Sequence, residues 1–274
     1  MLIFISNRKP KYIQSVLFDF DGTISLIRQG WQDVMIPYFA EVLLKTPHAG
    51  TAQEEYRCAT EFIELTTGKQ TIYQCMQLND EVVKRGGDAV DPSLYKNEYS
   101  KRLMLHIEHR RQSLLSGVTD PDHMMIPGAR RFLETLVERN LNLYLASGTD
   151  HEYVMEEASL LDVAKYFKGN IFGAKDDLLL NSKAMVIQKI LKEQQLSGTT
   201  LAGFGDGYVE IENVKDVGGI AIGIAGHEAN PSTGWDEWKK RRLTQAGADA
   251  LVMDFTDIDA IIDYLFKGGF YETD

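Results

Sequence analysis

The sequence predicts an α/β protein: a doubly wound parallel sheet covered by helices on both faces, with an all-helical insertion after an early strand. Three observations carry this reading. The run Ser15-Val16-Leu17-Phe18-Asp19-Phe20-Asp21-Gly22-Thr23 is apolar, partly β-branched and aromatic, and ends in two acids and a glycine. That is the pattern of a strand buried on both faces that delivers side chains to a turn. From about residue 127 onward, apolar strand runs alternate with helix-period segments, as in a sheet built from βα crossovers. Between about residues 30 and 116, apolar residues recur at helical spacing without a strand pattern.

Taken in order, residues 2–5 form an extra edge strand, and a Lys/Arg/Pro connection leads to the acid-bearing strand. Helices are expected over 31–44, 54–66, 71–84 and 93–115, punctuated by Pro47, Gly68, Gly86-Gly87 and Pro92, and their apolar stripes pack on one another as a small bundle. Pro127-Gly128-Ala129 opens a helix through Val137, and Leu141 to Ala146 is a second buried strand that ends at Ser147-Gly148-Thr149. Strands over 170–173, 199–204, 219–224 and 250–253 then alternate with helices over 151–160, 183–194 and 258–266. The core is therefore assigned to residues 1–24 and 120–274 and the helical domain to 25–119.

The chain has 274 residues, 44% hydrophobic and 25% charged, which excludes disordered and fibrous classes. No apolar run approaches the ~20 residues that cross a bilayer, and the apolar start at Met1 is too short for a signal-peptide core, so a cytoplasmic protein is expected. Cys58 and Cys75 lack a CxxC spacing and indicate neither a zinc site nor a disulfide framework. A net charge of −11 repels nucleic-acid phosphates. The one basic run, Lys239-Lys240-Arg241-Arg242, reads as a solvated helix face.

The chemistry gathers at strand ends, where open α/β sheets bind ligands. Asp19 and Asp21 repeat at a spacing of two and share a strand face. Their desolvation and mutual repulsion call for a cation. Ser147-Gly148-Thr149 places a hydroxyl and exposed amides where a helix begins, either as an N-cap or as a seat for a phosphoryl oxygen. Leu201-Ala202-Gly203-Phe204-Gly205-Asp206 again runs into glycine and acids, with Glu210 four residues on. Its GxGxG spacing does not fit a dinucleotide loop, and Thr67-Gly68-Lys69-Gln70 fails as an ATP loop because Gln70 stands at the required Ser/Thr position. His106 and His109 are three apart on a helix with no acid partner in view, which reads as a solvated face.

Asp19-Phe20-Asp21-Gly22-Thr23 resembles the first motif of the haloacid dehalogenase superfamily of phosphotransferases. Leu145-Ala146-Ser147-Gly148-Thr149 resembles the second and Asp206-Gly207-Tyr208-Val209-Glu210 the fourth, with Glu210 in place of the more usual aspartate. For the third motif, a helix-leading lysine, Lys183 is preferred over Lys175 because its helix leads into the fourth motif's strand. The resemblance covers about residues 15–265 and implies a Rossmann-like core with a helical cap, of the kind in phosphoglycolate phosphatase- and β-phosphoglucomutase-like members. It further implies an Mg²⁺-dependent phosphatase of small phosphomonoesters, with Asp19 as nucleophile, Asp21 as general acid and base, and Ser147 and Lys183 as phosphoryl anchors. Mg²⁺ would rest on Asp19, the Asp21 carbonyl and Asp206 with Glu210 in support; Gly148, Thr149, Arg28 and Lys69 would meet substrate. A phosphomutase on the same core, or a phosphometabolite sensor without turnover, are the alternatives.

Overall fold

The computed structural model of the chain describes residues 1–10, 12–175, 183–193, 197–229 and 233–267, with Lys183 and Glu193 by backbone alone. The chain divides into two compact units, Met1–Gln29 with Ser113–Asp274, and Gly30–Gln112. The second unit is helical and holds α1 (Gln32–Leu44), α2 (Ala52–Thr66), α3 (Thr71–Lys84) and the body of α4 (Pro92–Leu115). A capping box starts α2 two residues earlier than its apolar pattern does: Glu54 N donates to Thr51 Oγ1 at 3.3 Å and Thr51 N to Glu54 Oε2 at 2.8 Å. Phe39 of α1 stacks on Phe62 of α2 with centroids 5.8 Å apart, and Leu43, Ile63 and Leu78 are wholly buried.

The first unit is organised around a sheet that, among the described residues, has seven strands in the order β1-β7-β6-β5-β2-β3-β4. These are β1 (Leu2–Phe4), β2 (Ser15–Phe18), β3 (Asn142–Asp150), β4 (Ile171–Ala174), β5 (Leu201–Gly205), β6 (Ile220–Ile224) and β7 (Ala250–Val252). β2 to β7 pair in parallel, and β1 closes one edge antiparallel to β7. The connecting helices are α5 (Ala129–Glu138), α6 (His151–Leu160), α7 (Ala164–Phe167), α8 (Lys183–Glu193), α9 (Tyr208–Asp216), α10 (Glu237–Gln245) and α11 (Ile258–Lys267).

Every residue of β2 is buried, because both sheet faces are covered. On one face Phe18 stacks on Phe204 at 5.2 Å, and Phe132, Phe167 and Phe255 close round it. On the other, Leu17 packs with Tyr144, Leu201, Ile211 and Val214. Truncating one such buried Phe to Ala costs about 3–5 kcal/mol, so the strand that carries the acids is firmly held. β3 and β4 extend the sheet on one side of β2, and β5, β6 and β7 on the other. The strand order therefore reverses beside β2, which is where ligands bind in such sheets.

Candidate active site

Asp19 N donates to Phe204 O at 2.9 Å, so the β2–β5 ladder runs one residue past the strand and sets Asp19, 7% exposed, at the sheet's carboxyl end. The chain then turns sharply: the amides of Thr23, Ile24 and Ser25 converge on Phe20 O at 3.3, 2.9 and 2.9 Å. Gly22 makes the turn with φ +74°, a left-handed conformation that costs other residues free energy.

β3 runs further than its apolar segment implies. It continues to Asp150, its register against β4 shifting between Ala146 and Asp150, and α6 starts only at His151, so Ser147 is not a helix cap. The extended backbone lets both Ser147 and Thr149 reach Asp21 Oδ2: Thr149 Oγ1 donates at 2.8 Å and Ser147 Oγ at 3.4 Å. Thr149 N in turn donates to Ser147 Oγ at 3.1 Å. Among the described residues Asp21 Oδ1 is buried without a hydrogen bond, and Arg28 Nε lies 4.0 Å from it. That guanidinium is already engaged. Arg28 Nε lies 3.0 Å from each oxygen of Glu157, Nη2 donates to Glu157 Oε1 at 2.7 Å, and the group stands over the Tyr153 ring. Burial pushes the Asp21 carboxyl up from the usual 3.8 to about 6; Arg28 opposes the rise, and the negative charges of Glu157 and Asp206 add to it. Arg28, expected at the substrate, is thus a buried neighbour of the acid pair.

Asp206 follows β5 directly. The glycines before it serve close packing of α9 on the strand: a Cβ on Gly203 would collide with Val214, and one on Gly205 would stand 2.7 Å from Glu210 Cβ. Glu210, in the first turn of α9, is 4% exposed. The Asp206 carboxylate lies over Gly22, where a Cβ would collide with Oδ2 and stand 2.7 Å from Cγ. Lys239 Nζ donates to Asp206 Oδ2 at 2.7 Å and also to Glu228, both acids holding the ammonium protonated despite its burial.

Among the described residues no three His, Cys, Asp or Glu side chains form a ready-made metal group. The donors nevertheless suit a hard divalent cation: Asp19, Asp206 and the Asp21 carbonyl offer oxygen only, and a cation, the Lys239 ammonium, already rests on Asp206. The Lys183 side chain lies outside the described residues, Lys175 is exposed at the end of β4, and Gly148 lies within β3. His151 accepts from Gly173 N at 3.4 Å, and burial, with Lys175 nearby, keeps its ring below the usual range. Lys69 is exposed on the α2–α3 connection of the helical unit. Glu157, Glu228 and Lys239 are absent from the residues the motifs single out. Glu157 left a trace, an acid on the inward α6 face beside Val154 and Ala158.

A parallel sheet with carboxylates and hydroxyls gathered at its switch point is the architecture of an α/β enzyme. The chain belongs to the haloacid dehalogenase-like hydrolases, whose family model matches residues 13–218. No curated protein matches it by sequence. Its fold is similar to that of a predicted phosphatase from Clostridium acetobutylicum (15% identity, TM-score 0.62, covering 92% of this chain and 99% of that one). It is likewise similar to a predicted phosphoglycolate phosphatase from Haemophilus somnus 129PT (14% identity, TM-score 0.60, 91% and 97%). A third similar fold is CbbY from Rhodobacter sphaeroides in complex with xylulose-(1,5)-bisphosphate (16% identity, TM-score 0.53, 89% and 96%). Among the described residues no helix is long and apolar enough to cross a membrane.

Proposed function

We propose that the chain is an Mg²⁺-dependent phosphatase of a small phosphomonoester, working through an aspartyl-phosphate. The observation that carries this reading is the division of labour between two acids two residues apart. Asp19 ends the β2 ladder as a candidate nucleophile, while Asp21 is half-buried, bonded by Thr149 and raised to about 6, poised to hold and give a proton near neutral pH. An Asp19 oxygen attacks phosphorus as the bond to the leaving oxygen breaks, and Asp21 protonates that oxygen. Asp21 then takes a proton from water, which attacks the phosphorus of the aspartyl-phosphate, releasing phosphate and restoring Asp19. Ser147, the Gly148 amide and Lys183 are assigned to the transferred phosphoryl oxygens, where charge must be stabilised. Asp19, the Asp21 carbonyl and Asp206, with Glu210 in support, would hold Mg²⁺, which when bound neutralises charge between the anionic nucleophile and the phosphate. Substrate choice is assigned to the helical unit, with Lys69 as its candidate contact. A phosphorylated sugar, such as the bisphosphate in the CbbY complex, is the first substrate class to try.

Rapid acid quench with ³²P-labelled phosphoester should trap label on Asp19 in the parent protein, and Asp19→Asn should be inactive while keeping the parent's circular dichroism. An active Asp19→Asn, with label found only in free phosphate, would refute the covalent route.

A further inference from the structure

The basic run at 239–242 divides by function. Lys240 stands over Trp235 at 5.5 Å and Arg242 over Tyr208 and Trp238 at 4.6 and 4.9 Å, on aromatic faces. Lys239 instead points inward: its side chain is 12% exposed and its ammonium joins Asp206 and Glu228, themselves only 17% and 20% exposed. The chain takes care to put it there. Asp236 N donates to Ala225 O at 2.8 Å, tying the segment back to the end of β6, and Trp235 bridges to Gly226. Asp236 then caps α10, its Oδ1 accepting from Trp238 N and Lys239 N at 3.0 Å each, which sets Lys239 in the first turn. Glu228 lies against the same turn as Asp206, since a Cβ on Gly22 would stand 3.0 Å from Glu228 Oε1.

We propose that Lys239 is a tethered counter-cation of the metal site: with Glu228 it holds Asp206 in the ion-free protein and competes with the divalent ion for that carboxylate. This rests on the reading of Asp206 as a metal-holding residue. An ammonium and a divalent ion on the one Asp206 carboxylate repel each other, so each weakens the other's hold on it. A divalent ion therefore binds against that repulsion, which falls when the ammonium shifts from Asp206 to Glu228, the partner it already touches. In the ion-free protein the same ammonium relieves the repulsion among the acids around the turn.

The test is direct binding of Mn²⁺ to the full chain, followed by electron paramagnetic resonance of the free ion, with thermal melts in EDTA alongside. Lys239→Met and Lys239→Gln, the second keeping a hydrogen-bond donor in case the first folds poorly, should bind Mn²⁺ on the order of 10- to 100-fold more tightly, the range by which neighbours of metal ligands move affinity. Both should melt lower than the parent in EDTA and regain the difference with Mn²⁺. A lysine that merely braced Asp206 would do the reverse, so unchanged or weaker Mn²⁺ binding in both variants, with the parent binding normally, overturns the proposal alone. If neither the parent nor the variants bind Mn²⁺ and phosphatase activity survives EDTA, the metal reading itself falls and the proposal with it.

Discussion

The Arg28–Glu157 pair predicts a large and specific loss of stability when either member is removed. Glu157 has no exposed side-chain surface and Arg28 only 10%, and the two meet through contacts of 2.7 to 3.0 Å. Removing one partner of such a buried pair leaves an uncompensated charge and costs about 3–5 kcal/mol, whereas replacing both by apolar groups of similar volume is often neutral. Arg28→Met and Glu157→Met should each lower the melting temperature by roughly 6–20 °C, taking about 2–4 °C per kcal/mol for a chain of this size class. The double variant should recover most of the loss. Thermal melts of the parent, both singles and the double measure the coupling directly. Singles that cost under about 1 kcal/mol, as exposed pairs do, or a double equal to the sum of the singles, would refute the argument that this pair is desolvated.

The same cycle reads Asp21. Arg28 holds its carboxyl down more strongly than Glu157 pushes it up. Removing both lets it drift above about 6, and the pH at which kcat/KM falls on the alkaline side, where the general acid loses its proton, moves up. Glu157→Gln alone moves it down, because it removes only the charge that disfavours ionisation. Profiles that coincide in all variants would uncouple Arg28 and Glu157 from the acid.

Two further outcomes follow from the same turn. The Asp21 carboxyl titrates at about 6 in the folded chain against a usual 3.8. Protonation therefore favours folding: the contribution is full below 3.8 and is lost as pH rises through 6, an amount of about 3 kcal/mol. Urea titrations in EDTA should show Asp21→Asn gaining up to that amount on the parent between pH 4 and pH 8, and a pH-independent difference would contradict the burial argument. Gly22→Ala should lose about 1–2 kcal/mol to left-handed strain and also weaken Mn²⁺ binding, because its Cβ would collide with Asp206 Oδ2. Gly117→Ala, with φ +70° and nothing within 4 Å, should show the strain without the binding defect; equal Mn²⁺ affinities in the two would clear Gly22 of any part in the site.

What could be read from the sequence was whatever lies along a single element. The apolar run into Asp19 and Asp21, the β3 segment into Ser147 and the bounds of α6 all follow from local periodicity, because strands buried on both faces and amphipathic helices write their burial into contiguous residues. α9 escaped because its start is disguised by Gly203, Gly205 and Gly207, which look like loop residues; the first two let the helix close on β5 and the third is its N-cap. The extension of β3 to Asp150 escaped too, since polar Ser147 to Asp150 carry no strand periodicity and are held by pairing to β4. Partners such as Arg28 and Glu157 lie far apart in the chain, and nothing local joins them.

Lys239 is the instructive case, because a physical signal was present. Asp236 is a good N-cap, and a helix begun there puts Lys239 at its third position, where Lys239 N meets the cap at 3.0 Å. A cation in the first turn stands at the positive end of the helix dipole, where acids are favoured and lysine is not. Such a lysine must find an anion beyond its own helix or lose free energy to the placement. The fold supplies two, Asp206 and Glu228, and so turns an unfavourable helix position into a link between α10 and the acids beside Gly22. Lys240 and Arg242 take aromatic rings as partners instead, so the basic run carries three different contacts under one sign of charge.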